Sequence, residues 1–351
     1  KCIRNNRVSL DLARFSNLSK RSIPANKYLQ QYDTLVNSTG EGTLGRVATI
    51  KNATGQITVD SHVTIVRAKP GIDKLFLGYA LQNVQSQIES LAEGSTGQTE
   101  LSKDRLGAEI MITYPEKIEE QRAIAATLSC LDDKIELNKR MNKTLEEMAQ
   151  AIFKSWFVDF EPFQNGEFVD SELGRIPKGW RVGTLPDLGF VVGGSTPSKA
   201  TPDYYTQEGI AWITPKDLSL QKTKYIEHGE TDITEDGLKN SSAKLMPEGT
   251  VLFSSRAPIG YLAIAAGEVC TNQGFKSVVP HANIGSPYVY FFLKSNLSMI
   301  EGRATGSTFK EVSSSIMKSV PALIPPDDIL QRFTTVCMPS FAKQLELERE
   351  N

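Results

Sequence analysis

Between residues 118 and 157 the apolar positions advance in alternating steps of four and three. Positions 124, 128, 131, 135, 138, 142, 145, 149, 152 and 156 hold Ile, Leu, Leu, Ile, Asn, Asn, Leu, Ala, Ile and Trp, and neither Pro nor Gly interrupts the run. This is the seam of a coiled-coil helix. At 1.5 Å per residue such a helix is roughly 60 Å long, more than the diameter of a small domain. It must cross between domains or lie along a second helix. The C-terminal stretch 326–351 offers the second helix, with Met338, Phe341 and Leu345 at the positions that Leu128, Leu131 and Ile135 hold in the first. Pro339 lies inside it and predicts a bend or a helix that starts after it. Asn138 and Asn142 in the seam cost stability and can pin register and orientation. Elsewhere the pattern predicts amphipathic helices over 74–91 and 287–300, and short strands in runs such as Gly249-Thr-Val-Leu-Phe-Ser254.

The pattern recurs at a period of about 210 residues. Thr34-Leu35-Val36-Asn37-Ser38 matches Thr250-Val251-Leu252-Phe253-Ser254, and Leu44-Gly45 matches Ile259-Gly260. Tyr79-Ala80-Leu81 matches Phe291-Phe292-Leu293, Thr96-Gly97-Gln98-Thr99 matches Thr305-Gly306-Ser307-Thr308, Pro115 matches Pro325, and Gln121-Arg122 matches Gln331-Arg332. The order is collinear. Each copy reads as a mixed region of strands, an amphipathic helix, a Thr-Gly-x-Thr turn, a last strand running into Pro115 or Pro325, and a long helix with acids in its first turn. Thr308 and Glu311 have capping-box spacing, so the second turn is expected to launch a short helix. Ile3-Arg4 aligns near Ile213-Thr214, which leaves about 40 residues from Ser171 without a counterpart ahead of Lys1.

These boundaries give a first domain over 1–116, a long helix over 117–160, a linker over 161–170, a second domain over 171–325 and a second long helix over 326–351. The fold class is α/β: two similar mixed α/β domains separated by long helices that pair as an antiparallel coiled coil. Net charge is −2 overall, a poor match for a nucleic-acid binder taken whole. Its distribution changes that picture. Residues 1–27 carry seven basic side chains and one acid, whereas the helix and linker over 117–170 carry seven bases and eleven acids. The acidic helices would repel DNA and suit protein partners. No apolar run approaches the length of a membrane span and no signal peptide opens the chain. Cys2, Cys130, Cys270 and Cys337 lie far apart, which argues against a zinc site or a disulfide framework and points to a reducing cytoplasm.

The residues for catalysis are not in evidence. His62, His228 and His281 stand near no Cys or carboxylate at metal-ligand spacing. There is no phosphate-binding loop, no dinucleotide fingerprint and no Asn/Asp-Pro-Pro-aromatic run of an adenine methyltransferase. The acids over 231–236 read as a solvated turn.

A series of motifs in the second half runs in a specific order: Glu172-Leu-Gly-Arg-Ile-Pro-Lys-Gly-Trp180, Gly193-Gly-Ser-Thr-Pro197, Ile210-Ala-Trp-Ile-Thr-Pro-Lys-Asp-Leu218, Gly249-Thr-Val-Leu-Phe-Ser254, Thr271-Asn-Gln-Gly274, Gly306-Ser-Thr308 and Pro325-Pro326. The long helix ends in Lys154-Ser-Trp-Phe-Val-Asp-Phe-Glu-Pro-Phe163. In these features the chain resembles the DNA specificity subunits of type I restriction-modification systems along nearly its whole length. It departs from them in the missing start of the first copy, the short last helix and Pro339. The resemblance implies two target-recognition domains, each reading one half of a split sequence in double-stranded DNA, with the helices setting the gap between halves. It implies two methyltransferase subunits docked on the helices, joined by two ATP-dependent restriction subunits in the cutting complex. The chain itself is then a non-catalytic, cytoplasmic subunit without a cofactor, and its partners use S-adenosylmethionine, ATP and Mg.

Charge and repeat position select the candidate DNA-binding residues. In the first copy they are Arg4, Asn5, Asn6, Arg7, Arg14, Lys20 and Arg21, since Arg can fork onto guanine and Asn onto adenine. In the second they are Lys216, Asp217, Lys222 and Lys224. The loop Ser254, Ser255 and Arg256, with Asn37, Ser38 and Thr39 at the matching place, is the next choice. Any single one of them is more readily a phosphate contact or plain surface than a base reader. Two alternatives stay open: the recognition part of a fused methyltransferase or restriction enzyme with its catalytic domain outside this chain, and a protein-only scaffold that has lost DNA reading.

Overall fold

The computed structural model describes residues 2–16, 22–93, 99–306 and 310–351. The chain divides into two compact units, Lys1–Lys134 and Ile135–Asn351. In the first, strand Thr34–Asn37 lies between Val47–Thr49 and Val63–Val66, antiparallel to both. Helices Lys74–Asn83, Gln85–Ser90 and Lys103–Glu109 follow, and then the long helix Ile118–Phe157 begins. Asp73 starts the first of these by accepting from the amides of Leu75 and Phe76, which would otherwise be orphaned. The opening turns of the long helix are bonded to this unit. Gln121, fully buried, accepts from Asp73 N and donates to Pro115 O. Further along, Tyr79 Oη donates to Asp132 at 2.7 Å and Lys51 pairs with Asp133 at 2.7 Å.

The second unit repeats this order. Strand Val251–Ser255 lies between Ile259–Ala265 and Lys276–Pro280, again antiparallel to both. Helices Ser286–Ser295, Leu297–Gly302 and Ser314–Lys318 follow, and then the helix Asp327–Arg349. Gly45 and Gly260 mark the match: both have positive φ, and a Cβ would strike Glu89 in one unit and Leu297 in the other. The second sheet is widened by Gly189–Gly193 on one side and, in parallel, by Tyr225–Ile226 on the other.

Several details differ from expectation. The stretches 74–91 and 287–300 are each two helices, broken at Val84 and at Asn296. Asn296 turns its own side chain onto Phe292 O, a local bond that competes with helix continuation. Ile3–Arg4 forms a hairpin with Arg7–Val8, whereas Ile213 lies in a strand parallel to Val269–Thr271, so those two stretches are not equivalent. The strand expected before Pro115 is absent among the described residues. In the second copy its counterpart, Pro321–Ile324, pairs with Arg181–Thr184, a segment that has no match in 1–116. Thr308 lies outside the described residues, and the short helix that follows is capped by Ser313.

Within the second unit the later half of the long helix lies antiparallel to the C-terminal helix. Asn138 Nδ2 donates to Glu350 and Asn351, Asn142 O accepts from Gln344, and Phe153, Trp156 and Phe157 pack on Phe333. Residue numbers rise along one helix as they fall along the other. The Oδ1 atoms of Asn138 and Asn142 are buried without a hydrogen bond among the described residues, which costs stability. The helix Asp327–Arg349 runs through Pro339 without interruption. The proline sits on the exposed face, so the carbonyl it leaves unpaired, that of Thr335, is on the wet side of the helix. The buried C-terminal positions are Ile329, Leu330, Phe333, Cys337, Phe341, Gln344 and Leu347, while Met338 is half exposed. Ile124, Leu128 and Leu131, placed in the seam by their spacing, are exposed; that part of the helix packs on the first unit through Gln121 and Ala125 instead.

The sheet and short helices of the second unit are joined to both long helices by a buried polar network. Lys224 Nζ donates to Glu146 at 2.7 Å and to Gln344 at 2.9 Å, and lies 3.2 Å from the Phe341 ring centroid. Lys294 pairs with the other oxygen of Glu146. Glu348 accepts from the amides of both Lys224 and Tyr225. Burial lowers the Lys224 pKa to about 8 against the attraction of Glu146. For Glu146, burial is outweighed by Lys224 and Lys294, and its pKa is lowered.

Two expectations follow from this packing. Phe333→Ala should cost about 3–5 kcal/mol, read from denaturant unfolding, while Leu131→Ser should stay within about 0.5 kcal/mol. Because the folded pKa of Lys224 lies below its ordinary 10.5, the unfolded chain binds the extra proton between the two values. This group's contribution to stability therefore rises with pH from about 8 upward. Unfolding midpoints from pH 8 toward the tyrosine range near about 10 should show that rise, and Lys224→Met should flatten it.

Candidate nucleic-acid interface

The first candidate cluster is a hairpin tip. Arg4 pairs with Arg7 across a two-residue turn in which Asn5 and Asn6 both have positive φ, 48° and 58°. This is the backbone of a type I′ turn, and Asn is among the few residues that tolerate it. Arg4, Asn5 and Asn6 are exposed, Arg7 is half-buried, and Arg14 is exposed further along. Lys20 and Arg21 lie outside the described residues.

In the second unit three of the sequence motifs converge. Ser195 N donates to Thr271 O, Trp212 Nε1 donates to Ser195 O, and Asn272 N donates to Ile213 O. Thr196 bonds Gln273. Gly194 lies so close that a Cβ would meet Asn272 O at 2.1 Å, so only glycine allows the approach. The helix Pro215–Gln221 starts beside this junction. Its capping box uses Asp217, which is buried and accepts from Thr214 N, Thr214 Oγ1 and Glu230 N. Asp217 therefore holds the local fold. Lys216 is exposed and paired with Glu230, and Lys222 is exposed at the left-handed end of the helix. Lys224 does not join them; it is buried in the network with Glu146.

The loop candidates occupy equivalent places in the two copies. Ser38 N donates to His62 O and Ser255 N to Gly274 O. Leu101 N donates to Ser38 O and Val312 N to Ser255 O. Ser38 thus corresponds to Ser255, one residue on from the sequence match, and Thr39 to Arg256. The four buried members serve the backbone or a neighbouring hydroxyl: Asn37 donates to Thr43 O, Ser38 bonds Thr64, Ser254 donates to Pro258 O, and Ser255 donates to Gly274 O. Thr39 and Arg256 are only half-buried. Thr39 bonds His62, and Arg256 stands 3.6 Å from Glu311.

Sequence reasoning missed the residues that complete this junction: His62, Thr64 and Glu100 in one copy, Gln273, Lys276 and Glu311 in the other. A signal was present. Glu100-Leu101-Ser102 and Glu311-Val312-Ser313 are the same short motif, a strand residue, a buried apolar residue and a helix cap. The Thr-Gly-x-Thr match drew the alignment out of that register.

Among the described residues no group of His, Cys, Asp and Glu could hold a metal ion, and no helix is long and apolar enough to cross a membrane. The chain is 41% identical over 172 residues to the MjaIX type I restriction enzyme specificity subunit of Methanocaldococcus jannaschii, a match covering 48% of this chain and 40% of that relative. It is 24% identical to the HindI specificity subunit of Haemophilus influenzae, over 96% of this chain and 86% of that one. The fold matches the crystal structure of a type I restriction-modification S subunit from M. genitalium with a TM-score of 0.58 at 19% identity, over 93% of this chain and 80% of that chain. The family model for the type I restriction modification DNA specificity domain matches twice, at residues 6–147 and 177–350, and the chain belongs to that family.

Proposed function

We propose that this chain is the DNA-recognition subunit of a type I restriction-modification complex, acting in the cytoplasm and performing no catalysis itself. Domains 1–116 and 171–325 each read one half of a two-part site in double-stranded DNA. The helices over 117–160 and 326–351 set the gap between halves and dock two methyltransferase subunits that modify adenine; two ATP-dependent restriction subunits complete the cutting complex. S-adenosylmethionine, ATP and Mg belong to those partners.

The observation that carries this reading is the duplication itself. One hydrogen-bonded framework is built twice, and the half-buried side chains at its ends differ: Thr39 in one copy, Arg256 in the other. Two readers of common ancestry and unlike surface suit a site whose halves differ. Within the first reader the hairpin tip supplies charge and amides at a width the major groove admits. In the second, Lys216 and Lys222 flank the converging motifs and suit phosphate contact.

Co-expression with the adjacent methyltransferase, followed by genome-wide mapping of methylated adenine, should yield one two-part motif with a constant gap. A contiguous motif, or none, would sink the reading. For the basic opening of the chain, Arg4→Ala with Arg14→Ala should weaken binding of the purified complex across sequences and shrink the salt dependence by about one to two charges. An unchanged slope of log affinity against log salt would remove these two side chains from the interface.

A further inference from the structure

The two copies can be compared atom for atom at the junction where the strand end meets the segment before the third helix. The same backbone bonds fix it in both, and Glu93 and Glu100 exchange amide bonds as Thr305 and Glu311 do. Four positions therefore correspond: Thr39 with Arg256, His62 with Gly274, Thr64 with Lys276, and Glu100 with Glu311. Only the carboxylate is common to both copies.

In the first copy the remaining positions form a neutral set. Ser38 Oγ and Thr64 Oγ1 lie 2.7 Å apart, and Thr39 bonds the His62 ring. In the second, two cations flank Glu311. Arg256 is 3.6 Å from one carboxylate oxygen and Lys276 Nζ is 3.5 Å from the other. Lys276 has a side chain only 11% exposed, yet among the described residues its contacts are long: 3.4 Å to Ser255 Oγ, 3.5 Å to Gln273 O and 3.5 Å to Glu311. A buried ammonium held so loosely is costly. The framework does not need it, because the first copy closes the same position with two hydroxyls. The charge is explained by what it does to Glu311.

We propose that this junction determines half-site specificity, and that in the second copy Arg256 and Glu311, the latter positioned by Lys276, read a G·C pair in the major groove. The inference rests on the DNA-recognition reading above. A guanidinium beside a carboxylate presents a donor fork next to an acceptor. That is the complement of guanine O6 and N7 beside the amino group of cytosine. The contacts between Arg256, Lys276 and Glu311 are long enough to leave both reading groups capacity for the base edges, and Arg256 and Glu311 are each 38% exposed. The first copy offers hydroxyls and an imidazole beside Glu100, without the arginine, and reads its half by different chemistry.

Methylation mapping of the co-expressed complex tests this with Arg256→Thr, Glu311→Gln and Lys276→Met, of which the first two are surface changes that spare the core. Wild type should give a two-part motif with a G·C pair in one half. Arg256→Thr and Glu311→Gln should each reduce discrimination at that pair by about tenfold or more, leaving every other position and the whole of the other half unchanged. Lys276→Met should reproduce the Glu311→Gln pattern at the same position, which a general loosening of the domain would not. An unchanged motif in both surface variants overturns the proposal. So does a loss at an A·T pair, or one spread over a whole half or both. If wild type itself yields no two-part motif, the DNA-recognition reading has failed rather than this assignment within it.

Discussion

The second unit depends on the closure of one aromatic core by two helices far apart in sequence. Phe153 and Phe157 arrive on the central helix, Phe333 and Phe341 on the C-terminal helix, and Tyr288 and Phe291 on the helix between them and the sheet. None of these three elements could bury its rings alone. Helices of this length gain most of their stability from such packing rather than from intrinsic propensity. The register of the helix pair is consequently a property of the domain core, and Asn138, Gln344 and the Lys224 network add direction to a contact that apolar burial leaves unspecific.

Much of this architecture was legible in the residues. The central helix is bounded as its periodicity predicts, and the internal duplication appears as the same three antiparallel strands and the same succession of helices. Helix breaks at Val84 and Asn296 were not legible, because the apolar spacing continues through both. Pro339 misled for a physical reason: a proline disrupts a helix through the bond it removes, and on an exposed face water can satisfy the freed carbonyl. The seam misled for another. Ile124, Leu128 and Leu131 share the spacing of the paired segment, but spacing cannot say where a helix changes the neighbour it packs on.

The candidate site was legible in part. The loops carrying Thr39 and Arg256 were found from repeat position, and the hairpin around Asn5 and Asn6 from charge and amides. Counting charge also selected Lys224 and Asp217, which the fold uses internally. A lysine's sequence context does not reveal whether its ammonium meets solvent or a buried glutamate. Lys276 and Glu311 escaped because each is separated from Arg256 by at least one full strand or helix; they meet only when the sheet forms.

Glu348 has a consequence for association. Tyr225–Ile226 is the last strand on its side of the sheet, and an outermost strand with open amides is a template onto which a foreign chain can add. By taking the amides of Lys224 and Tyr225, the C-terminal helix blunts that edge. The residue that helps seat the helix thereby also discourages strand addition between copies, so loss of the helix would expose a sticky border as well as a loosened core.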